Sequence, residues 1–126
     1  MDPKILADTS VLIGLQRNEK PIVANFQKHL KLIFISRITT CEFIYGSRDK
    51  KEKQTNKEFL EQLAILEVSE EISRCAYQLL DKYSLKFNIG IADAFIAAAA
   101  IIHDCSLWTL NGRHFRCVTE LSIVKL

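Results

Sequence analysis

No two cysteines of this chain form a C-x-x-C pair: Cys41, Cys75, Cys105 and Cys117 are widely scattered. That scatter excludes the usual zinc and thioredoxin-like motifs. Since three of the four lie in apolar runs, the expectation is reduced core thiols and no disulfide framework. Long hydrophobic runs are missing too. The longest uncharged apolar stretch, Ala94 to Ile102, is about half of the ~18 residues a membrane span requires. Met1-Asp2-Pro3-Lys4 lacks the basic start and apolar region of a signal peptide, so a cytoplasmic protein with no membrane partner is expected. Excess charge of one sign is absent: 17 Lys and Arg against 15 Asp and Glu leave a net +2. A pI near 8.4 is too mild to point to a nucleic-acid partner. With 2 Pro and 4 Gly in 126 residues, no linker, repeat or low-complexity tract interrupts the chain. One domain over residues 1–126 is expected, large enough to bury about two thirds of its unfolded surface without a cofactor.

Apolar patterning supplies the elements. Ile5-Leu6-Ala7 reads as a buried strand that ends at Asp8 and turns at once into a helix carrying Val11, Leu12 and Leu15. Pro21 suits the first turn of a helix over Ile22–Leu30. Leu32-Ile33-Phe34-Ile35 is a strand covered on both sides. A helix from about Thr39 to Ser47 follows, with Glu42 in its first turn. Arg48 to Lys57 is a polar helical arm that feeds an amphipathic stretch with Phe59, Leu60 and Leu63. A short strand over Ile65–Val68 precedes a helix that starts at Ser69-Glu70-Glu71 and runs to about Tyr83. Asp93 stands at the head of a buried, alanine-rich helix. Leu107–Leu110 and Ser122–Leu126 are the last strands, the second at an edge. Strands alternating with helices predict an α/β fold, a three-layer α/β/α sandwich with a mainly parallel central sheet.

Three acids share one context in that frame. Asp8, Glu42 and Asp93 each stand at the amino-terminal end of a helix beside apolar sequence, and ligand crevices of open α/β sheets lie beyond the carboxyl ends of strands. Each has a structural alternative. Asp8, Thr9 and Ser10 are all good N-cap residues, Thr39-x-x-Glu42 fits a capping box, and Asp93 complements a helix dipole. Gathered in one partly buried pocket, the carboxylates would raise one another's pKa values, and a hard divalent cation removes that difficulty. Oxygen ligands without His or Cys favour Mg²⁺ or Mn²⁺, with substrate phosphate completing the shell. Phosphodiester hydrolysis is the chemistry that follows.

Four blocks carry a family resemblance. Leu6-Ala7-Asp8-Thr9-Ser10-Val11-Leu12-Ile13, Ile38-Thr39-Thr40-Cys41-Glu42-Phe43-Ile44-Tyr45-Gly46, Ile91-Ala92-Asp93-Ala94-Phe95-Ile96-Ala97-Ala98 and Trp108-Thr109-Leu110-Asn111-Gly112-Arg113-His114-Phe115 resemble, in order and spacing, the motifs of PIN-domain nucleases. Among these the chain is most similar to the VapC-type toxins. The resemblance implies a PIN-like fold, an Mg²⁺- or Mn²⁺-dependent endoribonuclease acting on RNA, a homodimer, and a VapB-type antitoxin that occludes the groove. It also implies site roles: Asp8 and Asp93 as principal metal ligands, Glu42 as a second acid often acting through water, and Thr9 as the hydroxyl beside the first acid. Asn111 stands where many relatives carry a fourth acid, so one strongly held ion is expected, with another entering alongside RNA.

Smaller signals remain. Arg113, His114 and Arg116 flank the expected groove as RNA contacts, Arg being better matched to phosphate than Lys. The basic tract of Arg48, Lys50, Lys51, Lys53 and Lys57 offers contacts to RNA phosphates, but its interleaved acids favour a solvated helix with pairs such as Asp49/Lys53 over a dedicated RNA clamp. Two other functions compete: a catalytically weak PIN-like module that binds RNA or protein, marked by Asn111, and a phosphatase site at Asp8, which lacks the second aspartate that haloacid-type phosphatases use.

Overall fold

A computed structural model describes residues 3–126. Its strands are short and apolar on both faces, as helix-covered strands must be. They are β1 (Ile5–Ala7), β2 (Ile33–Ser36), β3 (Ala64–Leu66), β4 (Ser106–Trp108) and β5 (Ile123–Val124), in the sheet order β3-β2-β1-β4-β5. All four strand pairings are parallel, with Ile5 opposite both Ile33 and Ser106, and Ala7 opposite Trp108. The helices are α1 (Thr9–Gln16), α2 (Lys20–Lys28), α3 (Arg37–Tyr45), α4 (Lys50–Leu60), α5 (Glu70–Phe87) and α6 (Ile91–Ile102). No helix among the described residues is long and apolar enough to cross a membrane.

Alternation along the strands builds the layers. Leu6 and Leu107 join Ile72, Ala76, Leu79 and Ile96 of α5 and α6 in one core. Ile5, Ala7, Ile33, Ile35 and Trp108 join Val11, Leu12, Phe26, Phe43 and Leu60 of α1–α4 in the other. Full burial of one such side chain stabilises by roughly 1.5–3 kcal/mol. Ala97, Ala98, Ala99 and Ala100 are all at most 1 % exposed, and their small side chains let α6 lie close against its neighbours. The three-layer α/β/α sandwich expected from the sequence is therefore present. The chain passes from β1 outward to β3, then returns through α5 and α6 to β4 on the other side of β1. Strand order thus reverses between β1 and β4, the place where open parallel sheets bind ligands.

Several local expectations need correction. Helix α3 begins at Arg37, not Thr39, because the Ser36 hydroxyl accepts from Ile38 N at 3.1 Å and caps it. Thr39 is fully buried inside the helix, so the Thr39-x-x-Glu42 capping box does not form and Glu42 lies in the second turn. Helix α6 starts at Ile91, which puts Asp93 in its first turn behind an N-cap Gly90 with no side-chain cap. Helix α5 runs on to Phe87 and stops where Asn88 adopts φ 54°, a left-handed conformation that Asn tolerates better than most residues. In α4 the ion pair is Arg48–Glu52 rather than Asp49/Lys53, since Asp49 caps Glu52 N. Only Cys105 is a core thiol. Cys41 is exposed, Cys75 and Cys117 are half-buried, and all of them are free.

Candidate active site

The sheet's carboxyl edge at β1 and β4 collects the polar groups that an apolar core cannot take. Asp8 follows β1 directly and is 4 % exposed. Its backbone N–H donates to the Trp108 carbonyl at 3.0 Å, so the carboxylate sits where β1 and β4 end side by side. Oδ1 accepts from Ser10 N at 3.0 Å, from Ser10 Oγ at 2.5 Å and from Val11 N at 3.4 Å. Oδ2 accepts from Thr109 Oγ1 at 2.5 Å. Asp8 is therefore an N-cap and a strand-end acid at once, and the two roles suggested by the sequence are not exclusive.

Two hydroxyls do more than any sequence signal indicates. Ser10 Oγ also accepts from Leu110 N at 2.9 Å, and Thr109 Oγ1 accepts from Asn111 N at 3.0 Å. Each bridges the Asp8 carboxylate to the backbone after β4, folding residues 109–111 around it. Sequence reasoning passed over Thr109. The one hint was a hydroxyl placed directly after the apolar Leu107-Trp108.

The second acid arrives on α3. Thr9 Oγ1, the first residue of α1, donates to Glu42 Oε1 at 2.5 Å and lies 3.4 Å from Thr39 Oγ1. Glu42 is exposed, so one carboxylate oxygen is held while the group stays open to solvent. Asp93 comes from the first turn of α6 and is half-buried. Burial pushes its carboxyl above the ordinary carboxylate range; the nearby His114 opposes the rise, and the negative charges of Glu42 and Asp8 add to it. Contacts tie each acid to the ends of β1 and β4: Glu42 to Thr9, next to Asp8 in the chain, and Asp93 to His114 on the segment that also carries Thr109, the Asp8 partner.

The other predicted site residues lie on the segment after β4. His114 ends a 3₁₀ turn over Gly112–His114, and its Nδ1 stands 3.6 Å from Asp93 Oδ2. Asn111 precedes that turn, is exposed, and does not cap it with its side chain. Arg113 and Arg116 are exposed and form no ion pair among the described residues. Trp108 is 2 % exposed, a core residue and not a platform for bases.

The donor set is all oxygen and repels itself, which suits a hard cation. Among the described residues no three His, Cys, Asp or Glu side chains are grouped tightly enough to enclose an ion. Mg²⁺ usually takes one or two carboxylates directly and keeps several waters, so it does not require three acids in one cluster. The chemistry of the donors, carboxylates without His or Cys ligands, is that of a hard-cation site.

A PIN domain model matches residues 5–121. Ribonuclease VapC1 of Methanocaldococcus jannaschii is 36% identical over 126 residues, 97% of this chain and 86% of that one. In structure, the chain is similar to one from a DNA-bound VapBC of Salmonella typhimurium, with TM-score 0.84, 22% identity and 98% of each chain covered. It is also similar to one from VapBC-1 of nontypeable Haemophilus influenzae, with TM-score 0.79, 25% identity and 96% of each chain covered.

Proposed function

This chain belongs to the PIN-domain family, with VapC ribonucleases among its relatives, and from that premise we propose that it is the endoribonuclease toxin of a type II toxin–antitoxin pair. The observation that supports this reading is that Asp8, Glu42 and Asp93 are tied through Thr109, Thr9 and His114 to the place where strand order reverses between β1 and β4. Its substrate is RNA and its cofactor Mg²⁺ or Mn²⁺, held by Asp8 and Asp93 with Glu42 acting through water. When bound, such an ion would supply Lewis acidity at a phosphodiester and make a bound water a better nucleophile by lowering its pKa.

The remaining work falls to this chain's own groups. Ser10 and Thr109 hold the Asp8 carboxylate in one orientation, and Thr9 does the same for Glu42. Arg113, His114 and Arg116 meet the phosphates of the strand being cut, and Asn111 offers an uncharged amide where a fourth acid would add repulsion. The protein works as one PIN-like domain, homodimeric and cytoplasmic. Its partner is a VapB-type antitoxin, as in the VapBC complexes whose chains this one resembles.

Incubation with total RNA in Mn²⁺ or Mg²⁺ tests the reading. Wild type should cut, and Asp8→Asn or Asp93→Asn should lower the rate by roughly 100-fold or more while leaving far-UV circular dichroism unchanged. Equal cleavage by both variants in metal-controlled buffer would refute it. Asn111 supports a second reading, a module that binds RNA or protein without cutting. That version requires RNA affinity indifferent to Mg²⁺ and no toxicity on expression.

A further inference from the structure

Beside the acids lies a groove of about 350 Å³ between α1 and α3, closed at one end by the start of α4. The volume falls in the ~300–1,000 Å³ range of small-ligand sites. Thr9 and Glu42 line it, so the groove borders the candidate site on the Glu42 side. Ile13 and Phe43 form an apolar wall, and Arg17 stands at its edge. Two of its lining charges cancel, because Arg48 is held by Glu52 through Nε at 2.9 Å and Nη2 at 2.7 Å. Arg17 is in no ion pair among the described residues, which leaves it as the lining cation available to an anion.

Gly46 also lines the groove and adds no side chain to it. It ends α3 with φ −78°, a conformation any residue adopts. A Cβ there would meet only the Glu42 and Phe43 carbonyl oxygens, at 3.5 and 3.8 Å, which is ordinary contact. Backbone geometry therefore does not demand glycine at this position.

We propose that this groove is a subsite for the nucleotide next to the scissile phosphate of single-stranded RNA: Arg17 takes its phosphate, and Ile13 and Phe43 wall its base. An apolar wall, one cation free of ion pairing among the described residues and a border shared with Glu42 match the base, the phosphate and the cutting site that such a nucleotide would meet. Arg presents forked donors suited to phosphate oxygens. The assignment rests on the nuclease reading for its purpose, but binding tests it separately.

The experiment uses a short fluorescein-labelled single-stranded RNA, followed by anisotropy in EDTA, with wild type, Arg17→Gln and Gly46→Leu. Arg17→Gln should weaken binding about tenfold and flatten the log–log salt dependence by roughly 0.7, the share of one phosphate on a single strand. Gly46→Leu should weaken binding comparably by filling the groove, with an unchanged melting temperature. In Mn²⁺ the same two variants should show raised KM and near-normal kcat. Unchanged RNA affinity in both variants, or a wild type that does not bind the probe at all, would overturn the subsite and leave the groove to a protein ligand. A wild type that binds as described but never cuts would overturn the nuclease reading alone.

Discussion

Asp8 shows how one residue serves the fold and the site at once. As an N-cap it accepts from Ser10 N and Val11 N, a local role any helix start offers. Its second oxygen depends on Thr109, whose separation from it in the chain is 101 residues. Thr109→Val removes a donor from a buried carboxylate and should cost about 1–3 kcal/mol, whereas Thr109→Ser should keep most of the stability; thermal unfolding of the pair checks this. Asp93 follows the opposite electrostatic logic. Its carboxyl is raised from 3.8, chiefly by burial, so the folded state holds the proton more tightly than the unfolded chain does. Stability then falls as pH climbs from the ordinary carboxyl value to the raised folded one, and it stays lower above that. Asp93→Asn removes the titration. Without divalent ions the variant should melt above wild type at neutral pH, and the gap should close near pH ~3, where both states are protonated.

At the scale of elements, capping chemistry decided the boundaries that hydrophobic spacing left loose. Ser36 moved the start of α3, and with it Glu42, from the first turn to the second. The hydroxyl was visible in the sequence, but it also suited the end of a strand, and spacing alone does not choose. The segment before β5 is tied to α5 by a different device. The buried Tyr83 hydroxyl donates to Glu120 Oε1 at 2.6 Å, and Lys82 Nζ lies 3.6 Å from Oε2. The Tyr83 bond, with smaller help from Thr119 and Lys82, lowers the Glu120 carboxyl from 4.5 to about 2. A lowered carboxyl contributes stability that is present above its ordinary value and lost as pH falls through the folded one. Glu120→Gln can still accept from Tyr83, so its melting temperature should trail wild type slightly at pH ~7 and converge with it by pH ~2. A gap that persists at the acid end would mean that packing, not charge, holds this segment.

For the whole molecule, the proposed ion would link the end of β1, the start of α6 and a turn of α3, so its binding should be felt as global stability. At a hundred times its dissociation constant, Mg²⁺ or Mn²⁺ adds about 2.7 kcal/mol, or several degrees of melting temperature in a domain of this size. Wild type should show that rise in differential scanning fluorimetry, and Asp8→Asn should not. By itself the sequence determined the sandwich and the candidate acids. Strands apolar on both faces, an alanine run for close helix packing, and acids in the early turns of helices beside apolar sequence are local patterns, set by burial and by unpaired helix-end amides. Only the tertiary structure decided that β1 and β4 lie side by side, that Thr9 holds Glu42, and that Ser10 and Thr109 clamp Asp8. Those contacts follow from strand order, which no local periodicity encodes, because the free energy that selects it comes from both core layers packing at once.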